Sequence, residues 1–193
     1  MIATLFTFFA NMDKAGKLNA DSKQKLQNRA GNFSFADFES SSIYVRAKIS
    51  LTGIQELIDS NTKRIEGISS TEAGKIIQPA CVDGILVKYA TTTAANGALD
   101  NAGLADYGST MPAALRNATL RITQSGGNIQ EHLVSSLIEQ GDATVNDGYA
   151  LVFPFGVANT DIIGMSLKFP PGATADSDHH YVSVELRDVE LKA

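Results

Sequence analysis

Three histidines, His132, His179 and His180, and one cysteine, Cys81, are the side chains of this chain best suited to metal ligation or nucleophilic chemistry. The run Asp176-Ser177-Asp178-His179-His180 places carboxylate and imidazole donors side by side, and both are adequate ligands for a divalent metal. Neighbouring residues at a strand entrance point to opposite faces, however, so the adjacent imidazoles do not converge on one ion. A solvated loop is the expectation, with no metal and no cofactor. Cys81 has no second cysteine to pair with, which excludes an intrachain disulfide and points to a buried structural thiol.

Other chemistries fare no better. Serine is plentiful, but no G-x-S-x-G occurs and nothing places a particular serine with a histidine and an acid. A P-loop and a dinucleotide fingerprint are both missing, and the lone Gly126-Gly127 is accounted for by a hairpin turn. The H-x-H with downstream Glu of metal-binding cupins is missing too. Two carboxylates could in principle cleave a glycoside, yet nothing singles out a pair, and the chain has no Trp for a sugar platform. Asn32-Phe33-Ser34 and Asn117-Ala118-Thr119 match the glycosylation sequon by chance. The chain is therefore not expected to be an enzyme.

Charge narrows the partners. The net charge is −5, which argues against direct nucleic-acid binding, because affinity for a phosphate backbone rests on clustered Lys and Arg. The acid is uneven: residues 1–90 carry eleven basic and nine acidic side chains, residues 91–193 five and twelve. With 193 residues, 44% of them hydrophobic, one domain with a sizeable core is expected.

The elements that must position any site are mostly strands. Ile163, Met165, Leu167 and Phe169 are apolar at every second position, the period of a half-buried strand. Pro170-Pro171-Gly172 ends it. Val182, Val184 and Leu186 restart the alternation, which then slips to Val189 and Leu191 as a β-bulge near Arg187-Asp188 would cause. This reads as a long terminal hairpin, and strands this late must pair with strands already made. Upstream, Ile43, Val45, Ala47 and Ile49 alternate. So do Ile85, Val87 and Tyr89, in a strand apolar enough to be central, and Ala118, Leu120 and Ile122, which enter the turn Ser125-Gly126-Gly127-Asn128.

Helices are expected to be short. Asn19–Ala30 has a thin apolar stripe ending at Gly31, and Thr52-Gly53-Ile54-Gln55 with Ile54, Leu57, Ile58 and Ile65 predicts a helix up to Gly67. One turn is expected from Pro112 to Leu115, and a short strand after Asn128 should pass into a helical turn. A strand from Thr144 to Phe155 should be interrupted at Pro154. The polar stretch at 91–110 is long enough for a functional loop.

Met1–Ala10 is an apolar run too short to span a bilayer and poorly formed as a signal peptide. Leu5, Phe6, Phe8 and Phe9 are candidates for contact with a neighbouring subunit or with lipid, against burial in their own fold.

These readings give a mainly β protein: an antiparallel β-sandwich, a single jelly roll of about eight strands with short inserted helices. Residues 1–31 would form an N-terminal arm with a short helix, and 32–193 the sandwich. From Asn117 onward the stretches RNATLRITQSGGNIQEHLVSSLIEQ, YALVFPFGVANTDIIGMSLKFPPG and YVSVELRDVEL resemble the carboxy-terminal half of jelly-roll capsid proteins from tailless icosahedral phages. The resemblance implies a structural virion protein, a capsid subunit of the shell or its vertices. Its partners would be copies of itself and other capsid proteins, with the arm reaching a neighbour or an internal virion membrane. The competing expectation is a carbohydrate-binding or adhesive sandwich using the polar loops near Asn101–Tyr107 and Asp176–His180.

Overall fold

In a computed structural model, the described residues are 2–16, 18, 20, 23–24, 38–92, 102–125, 127–138, 149–158, 160–174 and 178–191. They form a helix α1 (Ile2–Lys14) and eight strands: β1 (Phe38–Ile49), β2 (Ile54–Ile58), β3 (Ala80–Thr92), β4 (Thr119–Gln124), β5 (Gly127–Leu133), β6 (Ala150–Val157), β7 (Ile163–Lys168) and β8 (His179–Leu191). One sheet has the order β1-β8-β3-β6 and the other β2-β7-β4-β5, with every ladder antiparallel. This is the expected β-sandwich.

Its winding follows from four of the ladders. β4 pairs with β5, β3 with β6, β2 with β7 and β1 with β8. The chain is thus one long two-stranded ribbon with its tip at the β4–β5 turn, where Gln124 pairs with Gly127 and Ser125 takes a φ of 49°. Rolling the ribbon up brings β8 against β3 and β7 against β4, which closes two four-stranded sheets into a jelly roll.

The space between the sheets is filled by the alternating apolar positions. Ile43, Val45, Ile85, Val87, Val182, Val184 and Leu186 from one sheet meet Ile58, Leu120, Ile122, Ile163, Met165 and Leu167 from the other. One face of each strand is core, as the alternation requires. β3 and β8 lie inside their sheet, and the one-turn helix Ala113–Arg116 and the turn after β5 stand where the sequence puts them.

Three expectations are corrected. The helix from Thr52 to Gly67 is strand β2 followed by turns. A register shift between Glu56 and Ile58 turns both Leu57 and Ile58 inward, so an irregular strand reproduces the i, i+3, i+4 spacing of a helix. Leu51 and Gly53, with φ of 55° and 65°, form the tight corner before it, and Ile65 is exposed.

β7 and β8 are not a hairpin. They lie in different sheets, and Pro170-Pro171-Gly172 begins the connection that crosses the sandwich.

The irregularity near Arg187-Asp188 belongs to β3, where Asp83 is the extra residue between Val82 and Gly84, while the β8–β1 register runs through unbroken. Val189 is apolar because its face is covered by α1.

As expected, Pro154 interrupts the pairing of β6, and the strand continues to Val157. β6 is an edge strand, and its register with β3 breaks between Leu151 and Phe155, where a missing N–H costs no ladder bond. The expected start of that strand at Thr144 lies outside the described residues, as does most of the 19–30 helix.

At the amino terminus the apolar run is helical and continues to Lys14. Phe9, Met12, Leu18 and Ala158 form a second, smaller apolar cluster, with Phe8 and Val189 packed on it. In the register, Val189, Cys81 and Gly156 make one row across β8, β3 and β6. Gly156 is the place where the helix comes closest: a Cβ there would overlap the Phe8 ring and crowd Met12 Sδ at 3.2 Å.

Candidate functional site on the outer face of a sheet

The histidines are drawn into separate environments. His180 is buried with its Nδ1 2.6 Å from the Tyr89 hydroxyl, whereas His179 is half-buried on the next position of β8. His132 Nε2 lies 2.6 Å from Gln130 Oε1, and partial burial holds its pKa below the usual imidazole value. Among the described residues no group of three or more His, Cys, Asp or Glu could hold a metal. Cys81 is buried, and desolvation, reinforced by the Asp83 and Asp188 carboxylates, pushes its thiol up to about 11.

The densest set of functional side chains is one that sequence reasoning assigned only to a wet strand face. Because Val182, Val184 and Leu186 point into the core, Tyr181, Ser183, Glu185 and Arg187 point away from it. Tyr44 lies beside Glu185 and Arg46 beside Ser183 on β1, and Leu86 and Lys88 are their counterparts on β3. Glu185 is the hub. It accepts from the Tyr149 hydroxyl at 3.2 Å and the Ser183 hydroxyl at 3.3 Å, and Arg46 Nη2 lies 3.9 Å away. One strand position along, Arg187 Nε donates to Asp83 Oδ1 at 2.9 Å, with its guanidinium 5.7 Å from the Tyr149 ring.

Local structure explains the second pair. The extra residue in β3 brings Asp83 to Arg187, and Gly84 clears the space: a Cβ there would sit 3.1 Å from Tyr149 Cβ and 3.3 Å from Arg187 Nε. The Arg46 guanidinium donates to the Gly67 carbonyl at 3.1 Å and lies 5.8 Å from the Tyr44 ring and 5.4 Å from the Tyr107 ring. Tyr107 donates its hydroxyl to the Ala102 carbonyl at 2.7 Å, and burial pushes its pKa up to about 12. Tyr181 and Ser183 are buried although they face away from the core, so this part of the outer face is covered. Chemically, the band is a set of paired charges: Arg46 with Glu185 and Arg187 with Asp83. Ser183 has a carboxylate partner and no imidazole to take its proton, which is not the arrangement of an activated nucleophile.

Beside Tyr107 the band opens into a groove of about 290 Å³ whose lining includes Val87, Lys88 and Tyr89 of β3, Tyr107 to Met111, Arg116 and Ile138. The Val87 N–H donates to the Leu137 carbonyl, and the Ser109 N–H to the Tyr89 carbonyl, so the two walls are pinned to the same strand.

Of the amino-terminal candidates, Phe9 is 0% exposed inside its own chain and Phe8 is half-buried against it. These two side chains pack on the sandwich beside Val189 and Ala158. Leu5 and Phe6 lie on the same helix, with side chains outside the described residues. No helix among the described residues is long and apolar enough to cross a membrane. Of the two polar loops, Ala102–Tyr107 lies over the outer face and only Asp178–His180 of the other is described.

No protein-family model matches this chain, and no curated protein or solved structure matches it either.

Proposed function

We propose that this protein is a structural subunit of a virion, building an icosahedral shell or its vertices by contacts with copies of itself and with other capsid proteins. The observation that carries this reading is the placement of large apolar side chains on both lateral edges of the jelly roll. On the β1–β2 edge Ile54 is 60% and Ile77 63% exposed, and on the β5–β6 edge Leu133 is 55% and Phe153 86% exposed. The edges are opposite each other in the sheet orders. Burying each such side chain is worth about 1.5–3 kcal/mol, and unlike patches on opposite sides of one molecule make a head-to-tail contact, which forms a ring where the rotation between subunits closes. A filled interior fits the same role, since the apolar side chains between the sheets leave the work of the protein to its surface.

Negative-stain microscopy and light scattering test this. Rings or shells should form from the purified protein, and Phe153→Asp or Ile77→Asp should abolish them while leaving the melting temperature within a few degrees. A wild-type protein that stays monomeric at high concentration, alone and mixed with its virion partners, would sink the reading and favour a monomeric carbohydrate-binding module.

A further inference from the structure

We propose that the groove beside Tyr107 is a binding site for a small ligand carrying one oxyanion group, a phosphate or sulfate ester. Lys88 and Arg116 both line it, and among the described residues neither has a carboxylate within ion-pair distance. This contrasts with the adjoining band, where Arg46 and Arg187 are matched by Glu185 and Asp83. Arg116 is one of only five basic side chains against twelve acidic ones in residues 91–193, and it shares this concave site with Lys88. Two cations converging on one concave site raise the local concentration of anions there.

The remaining lining suits an ester better than a bare ion. Ser109 Oγ accepts from the Thr91 N–H at 3.3 Å, which leaves its hydroxyl hydrogen to donate into the groove, and the exposed Thr110 adds a second hydroxyl. A guanidinium offers two parallel donors to two oxygens of such a group, and the ammonium adds a point charge. Met111, Ile138 and the Tyr107 ring supply apolar and aromatic surface for the body that bears the ester. A volume of about 290 Å³ lies at the lower end of the ligand-pocket range of about 300–1,000 Å³, which fits a phosphate or a monosaccharide ester. Two cations neutralise one oxyanion; they do not make the long basic track that a nucleic-acid strand needs.

Titration calorimetry on the full chain tests this with three probes: inorganic phosphate, inorganic sulfate and N-acetylglucosamine 6-sulfate, each against sodium chloride of equal ionic strength. Saturable one-site binding of at least one probe in wild type is expected. Lys88→Gln with Arg116→Gln should weaken it at least tenfold, and Lys168→Gln, an exposed lysine outside the groove, should leave it unchanged. Circular dichroism melts of the variants confirm that each is folded. Sulfated sugar binding at least tenfold tighter than inorganic sulfate assigns a glycan ester, and inorganic phosphate binding best assigns a phosphate group. Absence of saturable binding by all three probes, or equal binding by the folded double variant, would overturn the proposal.

Discussion

Tyr89 and His180 meet inside the jelly roll, hydroxyl to Nδ1 at 2.6 Å, with their rings stacked at a centroid distance of 6.0 Å. The imidazole that a reading of Asp176–His180 offers to a metal is therefore spent on a tyrosine. Tyr89→Phe removes one partner from a buried ring nitrogen and should cost on the order of 1–3 kcal/mol in a urea melt. A chelator should leave the wild-type melting temperature unchanged; a drop of several degrees would restore the loop as a metal site.

Leu167 is fully buried between the sheets, whereas its neighbour Lys168 is exposed. Leu167→Ala should destabilise the protein by about 2–5 kcal/mol. Lys168→Ala should stay within about 0.5 kcal/mol, and equal effects on the two would mean that the faces of β7 are assigned the wrong way round.

The close fit of Phe8 over Gly156 makes the docking of α1 measurable through Cys81, which lies in the same row of the sheet. In wild type, burial and a pKa of about 11 should make Cys81 react slowly with a disulfide reagent at pH 8. Gly156→Val should displace Phe8 and speed the labelling at least tenfold without global unfolding. Unchanged labelling would show that α1 does not guard this row.

Because burial lowers the pKa of folded His132 below its unfolded value near 6.5, the unfolded chain binds more protons in the window between the two. The contribution of His132 is then complete above pH 6.5 and is lost as the pH falls through the lower, folded value. Denaturant melts at pH 7.5 and pH 5 should show a steeper loss of stability for wild type than for His132→Gln. Parallel pH profiles would remove His132 from the account.

The sandwich was legible because its strands obey a period of two: Ile43 to Ile49, Ile85 to Tyr89, Leu120 to Ile122 and Val182 to Leu186 all mark core positions. What misled the reading was local irregularity that copies another signal. The shift at Glu56–Ile58 in β2 imitates helical spacing, and Val189, which breaks the phase of β8, is explained by a helix far away in sequence. The split of β7 and β8 between two sheets was not legible, because alternation fixes which face is buried and says nothing about which strand lies alongside. The band at Glu185 was hidden for a related reason: Arg46, Tyr107, Tyr149 and Asp83 come from four separate segments and meet only through register and a bulge.

The ribbon that builds the jelly roll also sets a timetable. Residue 38 pairs with residue 191 and residue 49 with residue 180, so apart from the short bridge to Ile68–Ser70, β1 has no strand partner until nearly all of this sequence has left the ribosome. At about 5–20 residues per second, that wait is on the order of ten seconds, during which Ile43, Val45 and Ile49 are open to any other unpaired strand. Folding can begin instead at the β4–β5 tip, where sequence separation is least, and zip outward through β3–β6 and β2–β7. Crowded synthesis of many identical chains would make this interval the most vulnerable moment in the life of the protein.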